Sequence, residues 1–309
     1  MSAEHTPLRI VSLLPVATEI VCALGFQENL VGRSHECDHP AGVDALPVCT
    51  LALIRPDGSS AEIDKQVKDA LRDALSIYEV LTDEIERLKP DIIVTQDQCE
   101  VCAVALTDVE AAVCDLLDND AKIVSLNPEG LDKVYADIER VAAALGSDVA
   151  GQNLIKSMQA GFASISAKAP ADHLSVCCVE WADPLMAAGN WVPELVEIAG
   201  GNDVFGMAGA HAPWLEPERL YEADPDVIVF MPCGFGLERS EAEARARLAT
   251  PEWRNLTAVR NGRVYATDGN SFFNRPGPRL LDSAQILFEI LYPGETTPTY
   301  KNTAWKAVT

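Results

Sequence analysis

Residues 129–168 are helical in pattern and hold no strand, and they separate two runs in which strands and helices alternate. In Glu129–Leu145 the apolar side chains Leu131, Val134, Ile138, Val141 and Leu145 fall on one helix face. A second helix is predicted over about 148–167. Before this stretch, strands are predicted at Arg9–Leu14, Leu30–Arg33, Asp91–Thr95 and Lys122–Leu126, with helices at Pro15–Gly25, 62–75, 82–88 and Asp108–Leu117 and a loop over 41–60. After it come strands at Leu174–Val179, Asp226–Met231 and Arg263–Thr267, with helices at Pro193–Ala199, Pro217–Ala223, Ser240–Leu248 and Pro278–Leu291. Strands alternating with helices imply parallel pairing, and 309 residues exceed what one core usually absorbs. The expected fold is α/β: two Rossmann-like lobes with parallel-type sheets joined by a long rigid interlobe helix. The predicted boundaries are 1–128 for the N-terminal lobe, 129–147 for the helix and 148–309 for the C-terminal lobe.

Charge narrows the choice of partners. Lys and Arg number 24 against 47 Asp and Glu, a net charge of -23. Such a surface repels nucleic acid and anionic membranes, so neither is an expected partner, and the plainest use of the excess is solubility. The apolar run from Ile10 to Phe26 is broken by Pro15, Thr18 and Glu19 and reads as strand, turn and helix rather than as a membrane insertion or a secretory segment. Without a basic leader the sequence as it stands reads as cytoplasmic; removal of a leader would make it periplasmic. The cysteines number nine, an odd count, and suit free thiols in a reducing compartment better than a disulfide framework.

In open α/β sheets ligands bind outside the carboxyl ends of the strands. The loops that follow the predicted strands hold much of the unusual chemistry. Trp181, Trp191, Trp214, Phe272 and Phe273 offer flat apolar walls, and Gln96, Gln98, Glu180, Asn274 and Arg275 offer polar contacts. That mixture suits a large flat ligand with a polar rim, although Trp and Phe also fill cores. Cys99 and Cys102 form a CxxC pair, with Cys37 and His35 in another post-strand loop. These groups can be small packed thiols, ligands of a metal ion, or a redox pair. A nucleophile elbow, a phosphate loop and a dinucleotide fingerprint are all missing from the sequence.

Several of these segments carry a resemblance: Ser12–Glu19, Gly32–Pro40, Leu88–Ala103, Glu180-Trp181, Asn190–Gly201 and Phe273–Arg279. Here the chain resembles the cobalamin-binding branch of the helical-backbone (class III) periplasmic substrate-binding proteins, which serve vitamin B12 and iron-chelate importers. The resemblance runs over about residues 8–292. It implies a two-lobed binding protein rather than an enzyme, with cobalamin or a related corrinoid or tetrapyrrole held between the lobes and an ABC importer permease as partner if the chain is exported. Two alternatives stand beside it. One is a cytoplasmic metal- or thiol-dependent enzyme using Cys99 and Cys102 with Cys37 and His35. The other is a binding protein for an iron chelate, siderophore or haem.

Overall fold

The computed structural model describes residues 7–55, 57–72, 78–96 and 121–308. The chain divides into two compact units: the first takes residues 1–55, 65–127 and 133–155, the second 56–64, 128–132 and 156–309.

In the first unit, strands β1 (Ile10–Ser12), β2 (Leu30–Arg33), β5 (Ile92–Gln96) and β6 (Lys122–Leu126) form one sheet in the order β2-β1-β5-β6. Every pairing in it is parallel. β5 reads Ile-Ile-Val-Thr-Gln, and its first four side chains are buried, as expected of a strand covered on both faces. Helix α1 (Pro15–Ala23) follows β1 at once, with proline in its first turn, where the missing N–H costs nothing. Residues 41–60, expected to be loop, contain strand β3 (Thr50–Ala52), which pairs antiparallel with β4 (Tyr78–Val80). Three-residue strands are too short to leave a readable alternation, so tertiary pairing decides them. The helix expected at Asp108–Leu117 lies outside the described residues.

Helices α2 (Ser60–Arg72) and α3 (Thr82–Leu88) precede β5, and α4 (Leu131–Ala144) and α5 (Asp148–Ser166) follow β6. The predicted apolar face of α4 is the buried one: Leu131, Val134, Ile138, Val141 and Leu145 are all covered. Both helices cross a unit boundary. Leu131 and Asp132 group with the second unit and the rest of α4 with the first, while α5 passes from the first unit to the second after Ile155.

The second unit is built on β7 (Leu174–Trp181), β8 (Met186–Ala187), β9 (Gly201–Asp203), β10 (Val227–Phe230), β11 (Val264–Thr267) and β12 (Trp305–Ala307), in the order β12-β11-β10-β7-β8, with β9 also on β7. β9, β7, β10 and β11 are parallel. β8 and β12 add antiparallel. β10, Val-Ile-Val-Phe, is wholly buried. Helices α6 (Val192–Ile198), α7 (Pro217–Ala223), α8 (Leu237–Leu248), α9 (Thr257–Arg260) and α10 (Leu280–Leu291) complete the unit. Among the described residues no helix is long and apolar enough to cross a membrane.

The C-terminal strand has no strong signal in the sequence, and a buried carboxylate fastens it. Glu289 on α10 is fully buried and accepts hydrogen bonds from the Thr299 N–H (2.8 Å), the Tyr300 N–H (3.1 Å) and the Trp305 indole N–H (2.8 Å). An acid here replaces its lost hydration with three donors. Glu289→Ala strands all three, and the expected loss is roughly 3 kcal/mol of unfolding free energy in denaturant titration. An unchanged midpoint would show that the tail holds without it.

Candidate functional site

Parallel pairing sends the ends of β7, β10 and β11 out at one edge of the second sheet, and the loops there are tied together. The Cys233 N–H donates to the Glu180 carbonyl (3.4 Å), the Asn270 N–H to the Phe235 carbonyl (3.1 Å) and the Asn274 amide to the Met231 carbonyl (3.1 Å). Gly269 opens the loop after β11 where a side chain would strike the backbone of Met231 and Pro232, so only glycine allows this close approach.

The candidate residues of the second unit occupy distinct situations around this edge. Trp181, half-buried at the end of β7, packs its ring 5.3 Å from that of Phe235. Its indole N–H is shared between the Ser60 carbonyl (3.2 Å) and the Asp183 carbonyl (3.1 Å). Trp191 and Phe273 are buried and linked, the Trp191 indole N–H donating to the Phe273 carbonyl at 2.8 Å. Phe272 is half-buried, with Tyr300 edge-on at 5.9 Å and the Arg279 guanidinium 5.4 Å from its ring centre. Asn274 is spent on loop carbonyls. Arg275 is buried, and Glu180 is half-buried. Trp214, at 55% exposure, is the candidate aromatic that presents most of its surface to solvent.

Sequence reading singled out neither Phe235 nor Arg239, yet they complete this edge. Phe235 is buried under Trp181, and the Arg239 guanidinium lies 3.5 Å from its ring centre, a cation–π contact. Arg239 also donates to the Gly58 carbonyl, and Glu243 accepts from the Ser60 hydroxyl at 2.7 Å. Residues 57–64 are thereby strapped to the second unit although they lie in sequence among elements of the first. Phe235 follows β10 directly, so its position is a readable signal; Arg239 lies on a helix of charged residues and gives none.

The remaining candidates belong to the first unit. Gln96 ends β5 and is half-buried. Gln98, Cys99 and Cys102 lie outside the described residues. His35 follows β2, with its Nδ1 2.7 Å from the Thr50 hydroxyl and its ring 5.3 Å from Tyr78. Burial holds its pKa below the usual histidine value, the nearby Arg33 adding to the effect and Glu36 opposing it. Cys37 is buried, with the Thr18 hydroxyl 3.0 Å from its sulfur and the Ser12 hydroxyl 2.8 Å beyond. Burial, more than any neighbouring charge, pushes the Cys22 thiol up to about 11 and the Cys49 thiol up to about 12, so both stay protonated at neutral pH. Among the described residues no three His, Cys, Asp or Glu side chains are grouped to hold a metal ion.

Residues 10–270 match the family described as periplasmic binding protein. The chain belongs to that family. It is therefore a binding protein rather than an enzyme. An ABC transporter substrate-binding lipoprotein of Bacillus subtilis, itself uncharacterized, is 24% identical over 95% of this chain and 82% of its own length. A vitamin B12-binding protein of Vibrio cholerae is 25% identical over 90% of this chain and 86% of its own length. Among solved structures, the periplasmic heme-binding protein of Vibrio cholerae superposes with a TM-score of 0.69 at 20% identity, covering 93% of this chain and 100% of its own.

Two measurements check this description. Cys177 and Cys178 lie inside β7, and burial raises both thiols far above the usual value. A thiol whose pKa rises on folding favours the folded chain below the unfolded value, about pH 8.5, and loses that contribution as the pH climbs toward the folded one. Neither is expected to be modified by a thiol reagent at pH 8 until denaturant unfolds the chain; prompt labelling of the peptide that carries Cys177 and Cys178 in the native protein, read by mass spectrometry, would contradict their burial. Trp181→Phe keeps a ring against Phe235 but removes the indole donor. It is expected to cost about 1 kcal/mol and to speed amide exchange around residues 57–63, and unchanged exchange there would show that the strap does not depend on Trp181.

Proposed function

We propose that this chain binds a corrinoid, cobalamin or a close relative, and hands it to an ABC importer permease. The observation that carries the reading is the similarity to vitamin B12-binding proteins, which covers 90% and 89% of this chain in two of them. The chemistry of the loops supports it. Trp214 is exposed and Trp181 and Phe272 are half-buried in the second unit, the Arg279 guanidinium lies beside Phe272, and Gln96 ends a central strand of the first. A corrin ring carries an apolar face for stacking and amide side chains at its rim for hydrogen bonds, and the loop composition matches both.

A second reading is favoured by the fold alone: haem, a flat tetrapyrrole with carboxylates in place of amides, is named as the ligand of several structural neighbours. A rim of carboxylates asks for cationic partners. Loops set in a chain of net charge -23 disfavour a dianionic ligand relative to a corrinoid whose rim is neutral.

Calorimetric titration of the purified chain with cyanocobalamin and with haemin separates the two. Saturable one-to-one binding of cyanocobalamin, with haemin weaker, is the expected result. The reverse order would move the assignment to haem, and binding of neither would overturn the tetrapyrrole reading. Trp214→Ala is expected to weaken cyanocobalamin binding by roughly 2 kcal/mol, the scale of an aromatic anchor, with the melting temperature little changed. An affinity equal to wild type would remove Trp214 from the site.

A further inference from the structure

We propose that Tyr300 is a positioning residue for the ligand loop Asp268–Arg275, and that the C-terminal segment Thr299–Val308, clamped by Glu289, sets the shape of that loop from behind. The inference rests on the reading above in taking this loop as part of the ligand site.

The loop is held on one side by the body of its own sheet, through Gly269 and Asn274, and on the other by the C-terminal segment. β12 pairs with β11 up to the last residue of the strand, Thr267 facing Trp305. The next residue continues the ladder, the Asp268 N–H donating to the Ala304 carbonyl at 2.8 Å. Asp268 then caps the loop by accepting from the Ser271 N–H at 2.8 Å. Four residues beyond Asp268, the ring of Phe272 meets Tyr300 edge to face, at 75° and 5.9 Å. The tail therefore touches the loop at its first residue and at its half-buried aromatic.

Tyr300 has little freedom of its own. Its hydroxyl donates to Asp282 Oδ1 on α10 at 2.6 Å, and its N–H is one of the three donors gathered by Glu289. Its carbonyl accepts from the N–H groups of Thr303 and Ala304, closing a tight turn in which Asn302 takes a left-handed backbone at φ 65°. At the far end, Lys306 pairs with Glu241 on α8 at 2.5 Å. A segment secured at so many points, whose contact with the loop is an aromatic edge, transmits position to the side chain it touches. Aromatic pairs favour this edge-to-face arrangement, so the Tyr300 ring biases the placement of Phe272. Preorganising a wall in this way raises affinity by removing an ordering cost on binding.

The full chain carrying Tyr300→Ala is compared with Tyr300→Phe and wild type by hydrogen exchange of peptides over 268–275 and by titration with cyanocobalamin and haemin. Tyr300→Ala is expected to speed exchange in the loop and to weaken whichever probe wild type binds by about tenfold, the factor that corresponds to roughly 1.4 kcal/mol. Tyr300→Phe, which keeps the ring edge and gives up only the hydroxyl, is expected to restore both to near wild type. If Tyr300→Ala does not fold, Tyr300→Leu takes its place, keeping apolar volume without the aromatic edge. Wild-type exchange and affinity in the Ala or Leu variant would overturn the proposal. So would equal losses in Tyr300→Phe, which would make the hydroxyl anchor, and not the ring, the source of the effect. Should wild type bind neither probe, the ligand reading fails by itself, and the exchange data still decide whether Tyr300 orders the loop.

Discussion

Buried parallel strands leave their loops no choice of side. β7, β10 and β11 are covered on both faces, so their backbone groups must pair with one another, and parallel pairing brings the three carboxyl ends to a common edge. Everything chemically distinctive in the second unit follows from that constraint. Trp181 at the end of β7 and Phe235 after β10 are far apart in sequence and meet because their strands are neighbours, and the loop after β11 joins them through the Asn270 N–H on the Phe235 carbonyl. The hydrogen bonds that then join loop to loop fix positions that the sheet only brings close.

Much of this was legible in the sequence because it depends on long, regular signals. The β-branched runs at Asp91–Thr95 and Asp226–Met231 announced strands, and the apolar positions from Leu131 to Leu145 announced a helix face; each is where it was expected. The edge strands were not legible. β3, β8, β9 and β12 are two or three residues long, too short for periodicity, and they exist because a neighbouring strand offers unpaired groups. β12 also needs Glu289, an acid that a helical pattern alone places on a polar face and that the fold buries against the tail.

The candidate residues divide along the same line. Which residues sit after strands can be read from sequence; what each one does there cannot. Trp191 and Phe273 are tied to each other and covered, Asn274 is consumed by backbone carbonyls, and Trp214 stands out in solvent, although all four looked alike as loop residues. The thiols show the same gap. Cys22 and Cys49 carry no signal separating a reactive thiol from a packed one, and only burial, which keeps them protonated, makes the distinction. Arg239 was invisible because a cation–π contact with Phe235 depends on α8 lying against the end of β10.

The central claim is that the loops at the carboxyl ends of the second sheet take the ligand. An amide and indole proton–nitrogen correlation spectrum, recorded as cyanocobalamin is added, tests it directly, since each tryptophan gives its own indole signal. The account predicts that the Trp214 and Trp181 indole signals and the amides of 268–275 shift with saturation, while Trp253, packed on Phe230 in the core, stays in place. Saturable shifts confined to other parts of the chain, with these loops unmoved, would contradict it.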